Sequence, residues 1–139
     1  MDAADPRLIE SGQEILDEGE CIRLLHTARI GRIVVTLGEL AAVFPVNYAM
    51  LGSDIFFFTG PGVKLNAAID SAEVTFETDE IDLAGRIGWS VLATGRAERT
   101  DGAQRSRVEA LGLFPWAAGD RPHLVRIRPT FFSGRRILA

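Results

Sequence analysis

Along most of this chain apolar residues alternate with polar ones at the two-residue period of half-buried strands, and only three stretches suit helices. Ser11 followed by Glu14 has capping-box spacing, and Ile15, Leu16, Ile22, Leu25 and Ala28 recur at helical intervals. This predicts a first helix over about 13–27. From Arg29 the β-branched run Ile30, Ile33, Val34, Val35 and Leu37 breaks at Gly38-Glu39 and resumes over 40–50, which predicts a hairpin. Pro45 lies inside the second run. It has no N–H to give to a ladder, so that strand belongs at an edge or carries a bulge. Ile55-Phe56-Phe57-Phe58 shows no polar alternation and predicts a strand buried on both faces.

Val63 to Asp70 is long enough for two helical turns, and Val74 to Glu77 returns as a strand. Residues 86–99 then form a long strand. Trp89, Val91, Ala93, Gly95 and Ala97 share one face, and Ser90, Leu92, Thr94, Arg96 and Glu98 the other. Asp101 can cap a helix through Leu113, ended by Gly112 and Pro115. His123 to Arg128 and Thr130 to Leu138 read as two last strands separated by Pro129. Six or seven short strands, mostly joined by hairpin-like turns, predict an antiparallel barrel with helical additions. A doubly wound parallel sheet is disfavoured, because residues 29–58 hold three strands with no helix between them.

At 139 residues the chain is read as a single domain, residues 1–139, with a flexible N-terminus over 1–10. A formal net charge of −4 argues against nonspecific binding to nucleic acid or to an anionic membrane, since both require phosphates to be neutralised. Neither partner is expected. The start, Met1-Asp2-Ala3-Ala4-Asp5-Pro6, lacks a basic region followed by an apolar one, so a cytoplasmic protein is expected. The single cysteine, Cys21, cannot form an internal disulfide and reads as a buried small hydrophobe.

Candidate chemistry concentrates around Thr59-Gly60-Pro61-Gly62-Val63-Lys64, where a strand delivers a hydroxyl, free backbone N–H groups and a lysine to a helix start. Those are the parts of a phosphate cradle. A glycine-rich turn with a solvated lysine has the same spacing, and spacing alone does not choose between them. The segment is neither a Walker A loop nor a dinucleotide fingerprint. Trp89, Trp116, Tyr48 and Phe44 can wall a planar ring, and Asn47 and Ser90 can read its edge, although each is also a plausible core or surface residue. Arg126, Arg128, Arg135 and Arg136 are read as surface partners of Glu73, Glu77, Asp79, Glu80 and Asp82. His26 and His123 have no second ligand in the pattern, so no metal site is expected, and no serine triad is recognisable.

Taken in order, Leu16-Asp17-Glu18-Gly19-Glu20-Cys21, Arg29-Ile30-Gly31-Arg32, Pro45-Val46-Asn47-Tyr48, Thr59 to Lys64, Gly88-Trp89-Ser90-Val91, Thr94-Gly95-Arg96-Ala97, Pro115-Trp116 and Gly134-Arg135-Arg136 resemble the pyridoxamine 5′-phosphate oxidase-like, split-barrel flavin-binding proteins of the short actinobacterial type. The resemblance covers about residues 13–138. It implies a mainly β (α+β) fold, a six-stranded antiparallel split β-barrel with short peripheral helices. It also implies a homodimer with flavin sites between the subunits. By position, Thr59 and Lys64 would bind the FMN phosphate, and Pro45, Val46 and Asn47 would lie against the ring system. Ser90 stands where oxidase members carry a glutamine, and Trp116 would come from the second subunit. The usual basic pair before the helix is here Val63-Lys64, and the segment that recognises pyridoxal phosphate is absent from the pattern. The function implied is an FMN-dependent oxidoreductase that transfers hydride at the flavin ring. The alternatives are a deazaflavin-dependent reductase of the same fold and a noncatalytic cofactor-binding module.

Overall fold

The computed structural model describes residues 9–10, 12–60, 73–100, 102–115 and 122–138. β1 (Ile9–Glu10), β2 (Gln13–Leu16), α1 (Glu18–Leu25), β3 (Ile30–Leu37), β4 (Leu40–Asn47), β5 (Ala49–Leu51) and β6 (Asp54–Thr59) make up the first part. β7 (Glu73–Asp82), β8 (Ile87–Thr100), α2 (Ala103–Ala110) and β9 (His123–Ile137) follow. All pairings are antiparallel. The main order is β1-β2-β9-β8-β7-β3-β4, with β6 bridging β5 to β9. One edge of β9 therefore serves two neighbours, β6 over its first residues and β2 over its last, while β8 runs along the other edge. The sheet curls around this shared strand, and the fold is the mainly β split barrel with short helices that the sequence implied.

The strand count differs from six for three local reasons. Gln13–Leu16, read as helix, pairs with the C-terminal end of β9, from Gln13 opposite Ile137 to Leu16 opposite Gly134. The helix is then capped by Asp17, whose carboxylate accepts a 2.8 Å hydrogen bond from the Glu20 N–H, with Glu18 and Glu20 favourably placed in its first turn. Ser11 and Asp101, the caps read from sequence, lie outside the described residues, as does the helix expected over 63–70. The run over 40–50 is cut at Tyr48, whose N–H bonds to the Arg29 carbonyl at 3.0 Å. Finally, β9 is one strand where two were expected. Gly95 pairs with Pro129 and Thr94 with Phe131, so Thr130 is the extra residue of a bulge that accommodates the proline. A Cβ at Gly95 would stand 2.1 Å from the Arg128 carbonyl oxygen, so this approach requires glycine.

Other expectations hold. Pro45 is exposed on β4, an edge of the main ladder. β6 is buried on both faces. Ile55 and Phe57 join the barrel core with Ile33, Phe76, Val91 and Ile127, while Phe56 packs with Val108, Leu113 and Leu124 in a smaller core under α2. The arginine partners differ from those read in sequence. Arg126 pairs with Asp54 and Arg128 with Glu98, whereas Arg136 reaches back to Glu14 and Glu20. Arg32 takes Glu77 and Asp79. Among the described residues no helix is long and apolar enough to cross a membrane.

Candidate functional site

Residues directly opposite in an antiparallel ladder project to the same face, so the register sorts the candidate residues. Pro45 opposes Arg32, Arg32 opposes Glu77, and Glu77 opposes Leu92, which places Pro45 on the outer face of the sheet. Ser90 is on that face too, flanked by Asp79 and Arg135. Asn47 opposes the exposed Ile30 and also turns outward. Val46 points the other way and packs against the barrel core, which leaves its backbone, not its side chain, for a ligand.

Thr59 is inward as well, in line with Ile55 and Phe57 at the last position of β6, opposite His123. It is 4% exposed, and its hydroxyl has no hydrogen-bond partner among the described residues. Burying an unsatisfied hydroxyl costs about 1–3 kcal/mol, so a donor held in that state next to Gly60 is suited to an incoming acceptor. Lys64 and Trp116 lie outside the described residues. The chain ahead of Trp116 does reach the site, because the Asn47 side-chain amide donates to the Phe114 carbonyl of the same chain at 3.3 Å.

Two charged or titratable features surround these residues. On the outer face, Arg32 Nη1 bridges Glu77 (2.8 Å) and Asp79 (3.3 Å). Burial, and the hydrogen bond that a protonated Glu77 carboxyl gives to the neighbouring Asp79 carboxylate, hold Glu77 above its ordinary range, against the opposing pull of Arg32. Beneath Asn47, burial pushes the Tyr48 hydroxyl up to about 12, so it remains a donor, and it donates a hydrogen bond to the Leu25 carbonyl at 2.6 Å. Tyr48 is thereby a structural post and not an acid-base group. A cavity of about 350 Å³ opens between Asn47 and the loop after α2, and Arg29 projects to its wall. Sequence reading quoted Arg29 only within a motif. The pairing of β3 with β4 and the return of α2 bring it to the site, and neither is written locally in the chain.

The family model described as pyridoxamine 5′-phosphate oxidase matches residues 17–136. The chain belongs to this family. An uncharacterized protein of Mycobacterium tuberculosis is 35% identical to it over 94% of this chain and 90% of that protein. Among solved structures, the FAD binding protein from Mycobacterium smegmatis is similar at TM-score 0.72 and 31% identity, covering 89% of this chain and 97% of that one. A conserved protein of unknown function from Corynebacterium diphtheriae reaches TM-score 0.74 at 29% identity, with 92% and 100% covered. Family membership accounts for the barrel and for the order of the motifs along it. Among the described residues no three histidine, cysteine, aspartate or glutamate side chains are grouped to hold a metal ion.

Proposed function

We propose that this chain is a flavin-binding oxidoreductase, with FMN as the cofactor, that works as a cytoplasmic homodimer. The observation that carries this reading is the buried hydroxyl of Thr59, without a partner among the described residues, at the point where β6 runs into Gly60. A phosphate oxygen would satisfy it, and Lys64 would add a full charge five residues later. Pro45, the Val46 backbone and Asn47 would hold the ring system, with Ser90 at its edge and Trp116 as a cover. When bound, the flavin supplies hydride transfer, and the protein's part is to position it and exclude water. The FAD binding protein from Mycobacterium smegmatis supports a flavin of either form, because FAD contains the FMN phosphate.

The second subunit is argued from the outer face. Val43, Val34, Thr75, Thr94 and Phe131 form one row across β4, β3, β7, β8 and β9, and none of the five carries a charge. Val43 is 57% and Phe131 63% exposed, and Leu92 adds an apolar side chain in the next row. An uncharged row with exposed apolar ends, next to the row that holds Pro45 and Leu92, fits a second copy that completes the cofactor site.

Titration of flavin-free protein with FMN, FAD, riboflavin and a deazaflavin tests the reading. FMN is expected to bind at micromolar concentration. Thr59→Val and Lys64→Ala should each weaken FMN by about tenfold or more and leave riboflavin nearly unchanged, the scale of a charge-assisted hydrogen bond. Without ligand, Thr59→Val should gain about 1 kcal/mol in unfolding free energy, because the orphaned hydroxyl is replaced by a methyl. Equal losses for FMN and riboflavin would overturn the phosphate assignment. Bleaching of the bound flavin by a reduced nicotinamide separates an oxidoreductase from a module that only holds the cofactor.

A further inference from the structure

Beside Asn47, the cavity of about 350 Å³ has Arg29, Asn47 and Tyr48 on one side and the turn Leu111 to Leu113 on the other. A second cavity of about 180 Å³ adjoins it and shares Arg29, Tyr48 and Leu111. Arg29 is the one arginine, lysine, aspartate or glutamate among the described residues lining either. Its guanidinium has no hydrogen-bond or ion-pair partner among the described residues, whereas Arg32, Arg126, Arg128 and Arg136 each meet a carboxylate within 3.4 Å.

The surroundings keep that guanidinium available. Gly112 sits at φ +90°, and a Cβ there would be 4.0 Å from Arg29 Nη1, so the loop passes the charge without a side chain in the way. The neighbouring polar groups are already committed, the Tyr48 hydroxyl to the Leu25 carbonyl and the Asn47 amide to the Phe114 carbonyl. Leu111 is 51% exposed and presents an apolar wall. A mostly apolar cavity with one strong donor set at its wall is the usual composition of a small-molecule site. The planar fork of an arginine matches a carboxylate or a phosphate bidentately.

We propose that Arg29 recognises the anionic group, a carboxylate or a phosphate ester, of a small molecule whose apolar body lies against Leu111 and Leu113. This deepens the flavin reading and rests on it for one step only, that a molecule held beside Asn47 would meet the cofactor ring. Anion recognition itself is measurable in the flavin-free protein, so the two readings fail separately.

The test follows the Arg29 Nε–H and Asn47 side-chain amide signals by NMR in the full-length, flavin-free chain during titration with benzoate, phenyl phosphate and neutral benzamide. At least one anion should shift both signals and bind about tenfold or more tightly than benzamide, and the tighter anion identifies the group as carboxylate or phosphate. Arg29→Gln should lose that advantage with no change in melting temperature, since the side chain is exposed and the backbone carbonyl that accepts from Tyr48 N–H is retained. Benzamide binding as tightly as both anions would overturn the proposal. So would unchanged anion binding by Arg29→Gln. A third overturning result is a loss of FMN but not riboflavin affinity in Arg29→Gln, which would assign Arg29 to the cofactor's own phosphate. Anion binding that depends on Arg29 in a protein that takes no flavin would support this inference and sink the flavin reading.

Discussion

The two faces of the sheet formed by β4, β3, β7, β8 and β9 are built from the same strands and alternate residue by residue, yet they solve different problems. Inward, Ile33, Phe76, Val91, Ala93 and Ile127 are all fully buried, covered by the curling of the sheet around β9 and by Cys21, Leu24 and Leu25 of α1. Outward, the row from Val43 to Phe131 is as free of charge as a core layer, but the chain itself leaves both ends of it more than half exposed. Next to it sits the Arg32, Glu77 and Asp79 cluster. A strand face meant only for water would carry more charge than this row, and a core face would carry less than the cluster. The mixture of an uncharged row, apolar at its ends, with a charged border is the composition of an interface.

The sharpest way to break this contrast is to truncate one phenylalanine from each face. Phe76 is fully buried, meets Tyr48 edge to face at 4.7 Å between ring centroids, and fills the space that a Cβ at Gly31 would invade. Phe76→Ala should lower the unfolding free energy by about 4 kcal/mol in denaturant titration, whatever the protein concentration. Phe131→Ala should cost an isolated chain less than about 0.5 kcal/mol. Equal, concentration-independent losses would mean that the outer row is simply a second core.

Charging the outer row is the next largest effect. Phe131→Asp and Leu92→Asp should each weaken self-association by on the order of 2 kcal/mol, read as a shift from dimer to monomer in sedimentation, while the barrel retains its circular dichroism. A wild-type chain that sediments as a monomer at every concentration would remove the outer face from the dimer argument. FMN affinity measured on the same variants sharpens the comparison. If Pro45 and Ser90 act at a shared site, dissociation should weaken the cofactor as well.

How legible these features were follows from how local they are. Double burial of β6 was written in Ile55-Phe56-Phe57-Phe58, the β3–β4 hairpin in Gly38-Glu39, and the edge position of β4 in Pro45, since each depends on residues within one or two elements. The strand Gln13–Leu16 was hidden because Ile15 and Leu16 also fit a helical period, and its pairing partner lies at the other end of the chain. Pro129 looked like a break because the residue that accommodates it, Gly95, belongs to a different strand. The same holds for the site. The Thr59 hydroxyl was visible at the end of its apolar run. The inward turn of Val46, the Arg32 bridge and the meeting of Arg29 with Leu111 are products of register and closure, which no local window contains.

The smallest expected effect tests the charged border. Burial and Asp79 hold the Glu77 carboxyl above its ordinary range, so the folded protein keeps that proton more tightly than the unfolded chain. Stability from this group is therefore present at low pH and lost as pH rises from the ordinary carboxylate range through the raised value. Glu77→Gln mimics the protonated side chain and escapes that loss. Its melting temperature relative to wild type should move upward between about pH 4 and pH 7, with an effect below about 1 kcal/mol because the Arg32 pair is solvent-screened. A downward movement would mean that Arg32 outweighs burial and holds Glu77 ionised. Repeating the series at low and high protein concentration links the cluster to the face beside it. A second copy lying over Glu77 would strip more water from the carboxylate, so the pH dependence should steepen with concentration if this face is the interface and stay constant if it is not.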